Sequence, residues 1–294
     1  MMKHQNRIVF LFVATVYSVF AFADISLSLE EIYTDKGKIK LESSIAYSNA
    51  ERTDITVGSP VMIQTVNNSF ITIPSVFSQT QSNSDILVGT MGLRYGLTGK
   101  TDIYSNVSYL WNSSRYFNGV DEIKVKDNYL SDANLGISHT FLQDGKNPAV
   151  IGFVETSLYE KVLNKSSSTK SWSVGATTYK AIDPVVLSLT ASYRWNGKRN
   201  SELGSYKPAD YFLISPSVAF AANDRISFSG SVQWINRQPE KLDNQKLSAR
   251  NTATYAKLGV GFGLSDKTSF NASARWKISG SSSSALNLGL THLF

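Results

Sequence analysis

The chain has 294 residues, a formal net charge of +6, no cysteine, 42% hydrophobic and 18% charged residues, and a mean hydropathy of -0.14. The absence of cysteine excludes disulfide frameworks and thiolate metal sites together. The basic excess is too small and too dispersed for a nucleic-acid partner, and no basic run carries interleaved aromatics. A helical membrane protein would be far more apolar, whereas a barrel that hides its apolar residues at every second position keeps an average of this kind.

Lys3, His4 and Arg7 open the chain as a positive n-region, Ile8 to Phe20 is an apolar run, and Ala21-Phe22-Ala23 has the A-x-A form of a cleavage site. Residues 1–23 therefore read as a signal peptide cut before Asp24, and the chain is expected to be exported. The apolar run is too short to span a bilayer comfortably, and no later segment suits a transmembrane helix. Asp24 to Gly37 shows no strand pattern and reads as a short periplasmic lead-in, followed by a barrel over 38–294.

Lys38 to Asn49 is the first strand, with Ile39, Leu41, Ile45 and Tyr47 on one face and Lys40, Glu42, Ser44 and Ser48 on the other. Residues 50–84 hold two apolar runs, Val61 to Val66 and Phe70 to Phe77, separated by the turn pair Asn67-Asn68. Two further crossings here would make fourteen strands. Pro60 and Pro74 interrupt the runs, so one long first excursion, projecting outward or folding into the lumen as a plug, is preferred.

From Asp85 the rhythm is regular. Strands are expected at Asp85 to Tyr95, Thr101 to Trp111, Leu130 to Phe141, Ala149 to Val162, Ser171 to Tyr179 and Val185 to Trp195. They continue at Asp210 to Ala221, Arg225 to Asn236, Ala253 to Leu264, Thr268 to Ile278 and Ala285 to Phe294. Short turns such as Asp183-Pro184 and Asn223-Asp224 alternate with longer polar loops, and the serine runs Ser166 to Ser168 and Ser281 to Ser284 read as loop tips. The fold class expected is all-β: a transmembrane, antiparallel, up-and-down β-barrel of 12 strands.

The tryptophans test that phasing independently. Trp111, Trp195, Trp234 and Trp276 fall near the ends of upward strands and Trp172 at the start of a downward one, so all five reach the extracellular rim. Tyr95, Phe141, Tyr179, Phe220, Leu264 and Phe294 fall at the other rim. Two aromatic girdles are what a bilayer demands of a barrel. The last strand ends on Phe294, which resembles the carboxy-terminal signal of bacterial outer-membrane barrels. Outer-membrane lipid, lipopolysaccharide and the barrel-assembly machinery are the partners this implies, in the bacterial outer membrane.

With the apolar face outward, Lys40, Arg94, Arg194, Lys257, Arg275 and Lys277 point inward against Glu42 and Glu155. A mildly positive lumen would favour anionic solutes; alternatively these charges pair across the barrel and seal it.

Three segments resemble the family of outer-membrane barrels known as meta-pathway phenol-degradation-like or transporter proteins. They are Leu93-Arg94-Tyr95-Gly96-Leu97-Thr98 leading into Asp102-Ile103-Tyr104, then Ser131-Asp132-Ala133-Asn134-Leu135-Gly136, and Tyr179-Lys180-Ala181-Ile182-Asp183-Pro184-Val185-Val186-Leu187. The likeness spans most of the barrel but lies at strand ends and turns, where it specifies architecture more than cargo. Gly96 is expected to relax a periplasmic turn. Exporters of functional-amyloid subunits resemble the chain in barrel size, although Asp24 to Gly37 is too short for the coiled coil they carry.

Catalysis is not expected. The serine-histidine-asparagine motif of outer-membrane phospholipase A is lacking; His4 lies in the signal peptide, and His139 and His292 fall on the lipid face without a serine or carboxylate at a suitable spacing. Two histidines without cysteine make no metal site, and no cofactor is implied. The leading expectation is a passive channel or transporter for small hydrophobic or anionic solutes. The alternatives are a secretion component exporting an amyloid or adhesive polypeptide, and a sealed barrel with surface-interaction loops.

Overall fold

A strand with one apolar and one polar face buries the apolar side against lipid only if its backbone groups are all paired, and closure into a barrel achieves that without leaving an edge. The computed structural model describes residues 34–52, 61–66, 69–73, 82–117, 121–201, 203–279 and 283–294. The expected signal peptide, residues 24–33 of the lead-in, Pro60, Pro74 and the Asn67-Asn68 turn lie outside the described residues.

Among the described residues, twelve long strands form the wall. These are β1 (Ile39–Arg52), β2 (Ser82–Thr98), β3 (Thr101–Phe117), β4 (Glu122–Leu142), β5 (Ala149–Val162), β6 (Ser171–Ile182), β7 (Val185–Asn196), β8 (Tyr211–Asn223), β9 (Ile226–Arg237), β10 (Asn251–Ser265), β11 (Thr268–Lys277) and β12 (Ser283–Leu293). Each pairs antiparallel with its sequence neighbours, and β12 closes on β1 from Lys40↔Leu293 to Ala50↔Ser283. The Phe294 backbone N–H extends that seam by donating to Ile39 O at 2.8 Å. The barrel is twelve-stranded, not fourteen.

Its wall inverts a soluble core. Leu286, Leu288 and Leu290 are 57%, 50% and 42% exposed, while Ser44, Thr90 and Asn106 are buried. The five tryptophans are exposed, and the register sets Trp172 opposite Trp195 at one end of the barrel. Tyr95, Phe141, Phe220 and Phe294 are exposed towards the other end. Tyr179 departs from the expected girdle. It shares inward parity with Ser188, its register partner, and is buried with Ala149, Ile151, Val186 and Ala219. Ile182 is exposed at that end of the strand instead.

Differences from the expected elements concentrate at the tryptophan end. β3 and β4 continue their ladder through Phe117↔Glu122, where a loop was expected, because alternating Ile123 and Val125 sustain a strand above the barrel. Lys165–Ser167 folds back on β5 across a turn with Leu163 and Asn164 at positive φ, so part of the first serine run is strand. Four short strands, Arg199–Ser201, Gly204–Lys207, Lys241–Leu242 and Gln245–Lys246, make a separate sheet from two loops. Asp243 and Asn244, both at positive φ, turn the second of these hairpins.

Gly96 also has a different role from the turn expected of it. It lies within β2, its N–H donates to Lys38 O, and its O accepts from the Gly37 N–H. A Cβ at Gly96 would lie 2.0 Å from Asp35 O, so the missing side chain is what lets the backbone of residues 34–38 lie against β2 here.

Candidate functional site in the barrel lumen

The short strands Val61–Gln64 and Phe70–Ile73 form a hairpin that is not part of the wall. It stands inside the barrel and is sandwiched between opposite sides of it. Side chains alternate across a two-stranded hairpin: Ile63 and Ile71 pack with Ala46, Ile86, Val88 and Leu110 of β1 to β3, whereas Met62 and Phe70 pack with Tyr211, Leu213, Ile235, Ala253 and Tyr255 of β8 to β10. The apolar inward residues of these strands, which break the polar pattern of a porin lumen, are thereby explained: they receive the hairpin.

Polar contacts fix the hairpin's height. Ser69 donates to Glu155 Oε2 at 2.7 Å, and Gln64 Oε1 accepts from Gln233 Nε2 at 3.0 Å and Lys257 Nζ at 3.4 Å. The Met62 carbonyl accepts from Arg275 Nη1 at 2.9 Å. Near the turn, Val66 approaches Gly92, where a Cβ would sit 3.3 Å from the valine side chain.

The charges expected in the lumen separate into two groups. Arg194 lies between Glu155 (3.7 Å) and Glu160 (3.4 Å), and Arg199 from the outer sheet reaches the other oxygen of Glu160. These groups form an alternating chain from the outer loops down β5 and β7 to the hairpin through Glu155. Arg94 sits near the opposite mouth, paired with Asp102 at 3.2 Å, donating to Ser138 at 3.1 Å and lying 4.8 Å from the Tyr104 ring centroid. The lead-in is tied to this end by the Gly37 N–H, which donates to Gly96 O at 2.8 Å.

Arg94, Lys257 and Arg275, with Glu42, line a cavity of about 350 Å³ next to the hairpin. Arg194, Glu155 and Lys277 do not line it, and Lys277 lies farther up β11, opposite Tyr255. The rest of the cavity wall is rich in hydroxyls and amides, including Thr190, Ser217, Ser231, Ser273 and Asn287. Small residues dominate the wall from β7 through β12, whereas Arg94, Tyr104, Asn106 and Glu155 crowd the other side. The free volume is therefore eccentric. Sequence reasoning missed Asp102, Glu160 and Arg199. Parity with Tyr104, Asn106 and Ser108 would have placed Asp102 inward, but the cross-loop sheet that delivers Arg199 has no local signal.

The histidines sit where a bilayer interface would place them. His139 Nδ1 lies 2.9 Å from Thr101 Oγ1 with its ring edge-on to Phe141, and His292 repeats the arrangement with Thr268 (2.8 Å) and Phe294. Neither faces the cavity.

No protein-family model matches the chain. In structure it is similar to the outer-membrane channel from Pseudomonas putida F1, at 11% identity over 92% of this chain and 100% of that one, with a TM-score of 0.61. It is also similar to the transport unit of the autotransporter AIDA-I from Escherichia coli, at 11% identity, 91% and 93% coverage and a TM-score of 0.51. The beta domain of the Bordetella autotransporter BrkA gives 10% identity, 87% and 99% coverage and a TM-score of 0.50. At these identities the shared property is the fold: the chain has the closed, twelve-stranded, antiparallel architecture of outer-membrane β-barrels.

Proposed function

We propose that this protein is a passive outer-membrane channel for small polar and anionic solutes, exported by its amino-terminal signal peptide and regulated by the hairpin of residues 61–73. The observation that carries this reading is the cavity of about 350 Å³, walled by hydroxyls and amides and bounded by a hairpin held to both sides of the lumen. Hydroxyl-rich walls exchange hydrogen bonds with a hydrated or charged solute at little cost, while Ile151 and Phe153 of the same lining accept an apolar body beside its charge. Lys257 and Arg275 on the same wall bias the passage towards anions. Small solutes fit this arrangement better than an exported polypeptide, which would have to pass where the hairpin is packed.

Planar-bilayer recording of the mature chain, beside a variant lacking residues 61–73, tests the proposal. The intact protein is expected to show small or rare steps, and the deletion frequent, larger, anion-preferring ones. A deletion variant that retains the heat-shifted gel migration of a folded barrel yet stays silent would sink the channel reading.

A further inference from the structure

We propose that Arg275 provides a binding site for a small carboxylate, and that its occupancy favours release of the hairpin; the inference rests on the channel reading and names its solute class. Arg275 is 6% exposed. Its Nη1 donates to Met62 O, and its guanidinium carbon lies 3.7 Å from the Tyr255 ring centroid and 5.7 Å from that of Phe70. Among the described residues no carboxylate pairs with it, and Nε and Nη2 are buried without a hydrogen-bond partner.

Those two nitrogens share one edge of the guanidinium, and their N–H bonds point the same way. That edge is the fork that receives both oxygens of a carboxylate. The surroundings reinforce the choice of an anion. Lys257 is the register partner of Arg275 and lines the same cavity, and Arg237 donates to Tyr255 Oη at 3.4 Å. The flanking rings of Tyr255 and Phe70 suit an acid with an apolar body better than inorganic phosphate.

Met62 and Phe70 belong to the hairpin and cover the guanidinium, so a carboxylate reaches the fork when the hairpin shifts. A ligand that binds the shifted state more tightly than the seated one must move the equilibrium towards it. Arg275 thus holds the seated hairpin through Nη1 and the Met62 carbonyl, and in the shifted state its Nε–Nη2 edge gains a charge-assisted bond to the solute.

The test is single-channel recording of the full mature chain while sodium benzoate replaces sodium chloride at constant ionic strength, with sodium phosphate as a second probe. A saturable rise in open probability of about tenfold or more is expected with benzoate. Arg275→Gln should abolish it, Arg275→Lys should retain a weaker response, and Lys257→Gln should shift the dose dependence to higher benzoate. Heat-shifted gel migration verifies that each variant is folded. No response in the intact chain, or an undiminished one in Arg275→Gln, overturns the proposal, and an equal response to phosphate overturns the carboxylate assignment. The variant lacking residues 61–73 separates the two levels: if it conducts while benzoate has no effect, only this inference fails, whereas its silence removes the channel reading as well.

Discussion

Replacing Ile63 and Ile71 together with alanine tests whether apolar packing seats the hairpin. The two residues face each other across it, are 1% and 4% exposed, and pack on Ala46, Ile86, Val88 and Leu110. A buried Ile→Ala change costs roughly 2–5 kcal/mol, and contacting residues do not add fully. The low end for the pair, about 4 kcal/mol, corresponds to roughly a 10³-fold shift between seated and released hairpin. Ile63→Val, at about 0.5–1.5 kcal/mol, should shift it roughly tenfold or less. Single-channel recording reads these shifts as opening frequency, with barrel integrity followed separately by gel migration. Ile63→Ala/Ile71→Ala opening no more often than Ile63→Val would refute the reasoning, and would leave the polar contacts of Ser69, Gln64 and Met62 as the hold.

Two further predictions address the wall and its rim. Leu288 faces outward between Ala272 and Ile45, so Leu288→Arg should destabilise the inserted barrel by roughly 2–4 kcal/mol. Ser273→Arg, on the lumen side, should leave folding intact and narrow the conductance of the hairpin-deleted chain; equal unfolding midpoints for the two would contradict the phasing. Asp144, in the turn between β4 and β5, is pushed up by desolvation. The hydrogen bond from Lys180 Nζ (2.9 Å) and the Ala181 N–H more than offset this and hold its carboxyl below the ordinary range. A folded value below the unfolded one stabilises the barrel above the unfolded pKa of about 4, and that contribution fades as pH falls through the folded value. The gap in urea midpoint between wild type and Asp144→Asn should therefore be present at about pH 7 and closed at about pH 2; a gap that widens in acid would reverse the assignment.

The lumen shows how far local pattern reaches. Parity alone set Arg94, Arg194, Lys257 and Arg275 inward, because once one face is apolar every second residue follows. It also contained the answer for Tyr179, whose aromatic character suggested a girdle while its position in β6 turned it inward. Asp102 was recoverable in the same way. The apolar inward residues Ile86, Val88, Leu110, Leu213 and Ile235 look like exceptions in any single strand, and they make sense only when the hairpin stands between them. Arg199 is less accessible still, since it reaches Glu160 through a sheet assembled from two separate loops.

The barrel is written locally in the chain: an alternation of period two, short turns alternating with polar loops, and aromatics sorted to two levels each need only neighbouring residues, and closure then leaves no unpaired edge in lipid. What fills the barrel is set by contacts between distant segments. Two four-residue strands carry too little pattern to distinguish a pair of wall strands from an internal hairpin. That choice depends on complementary surfaces from β1 to β3 and from β8 to β10, far apart in the chain, and on buried charges that find their partners across the lumen.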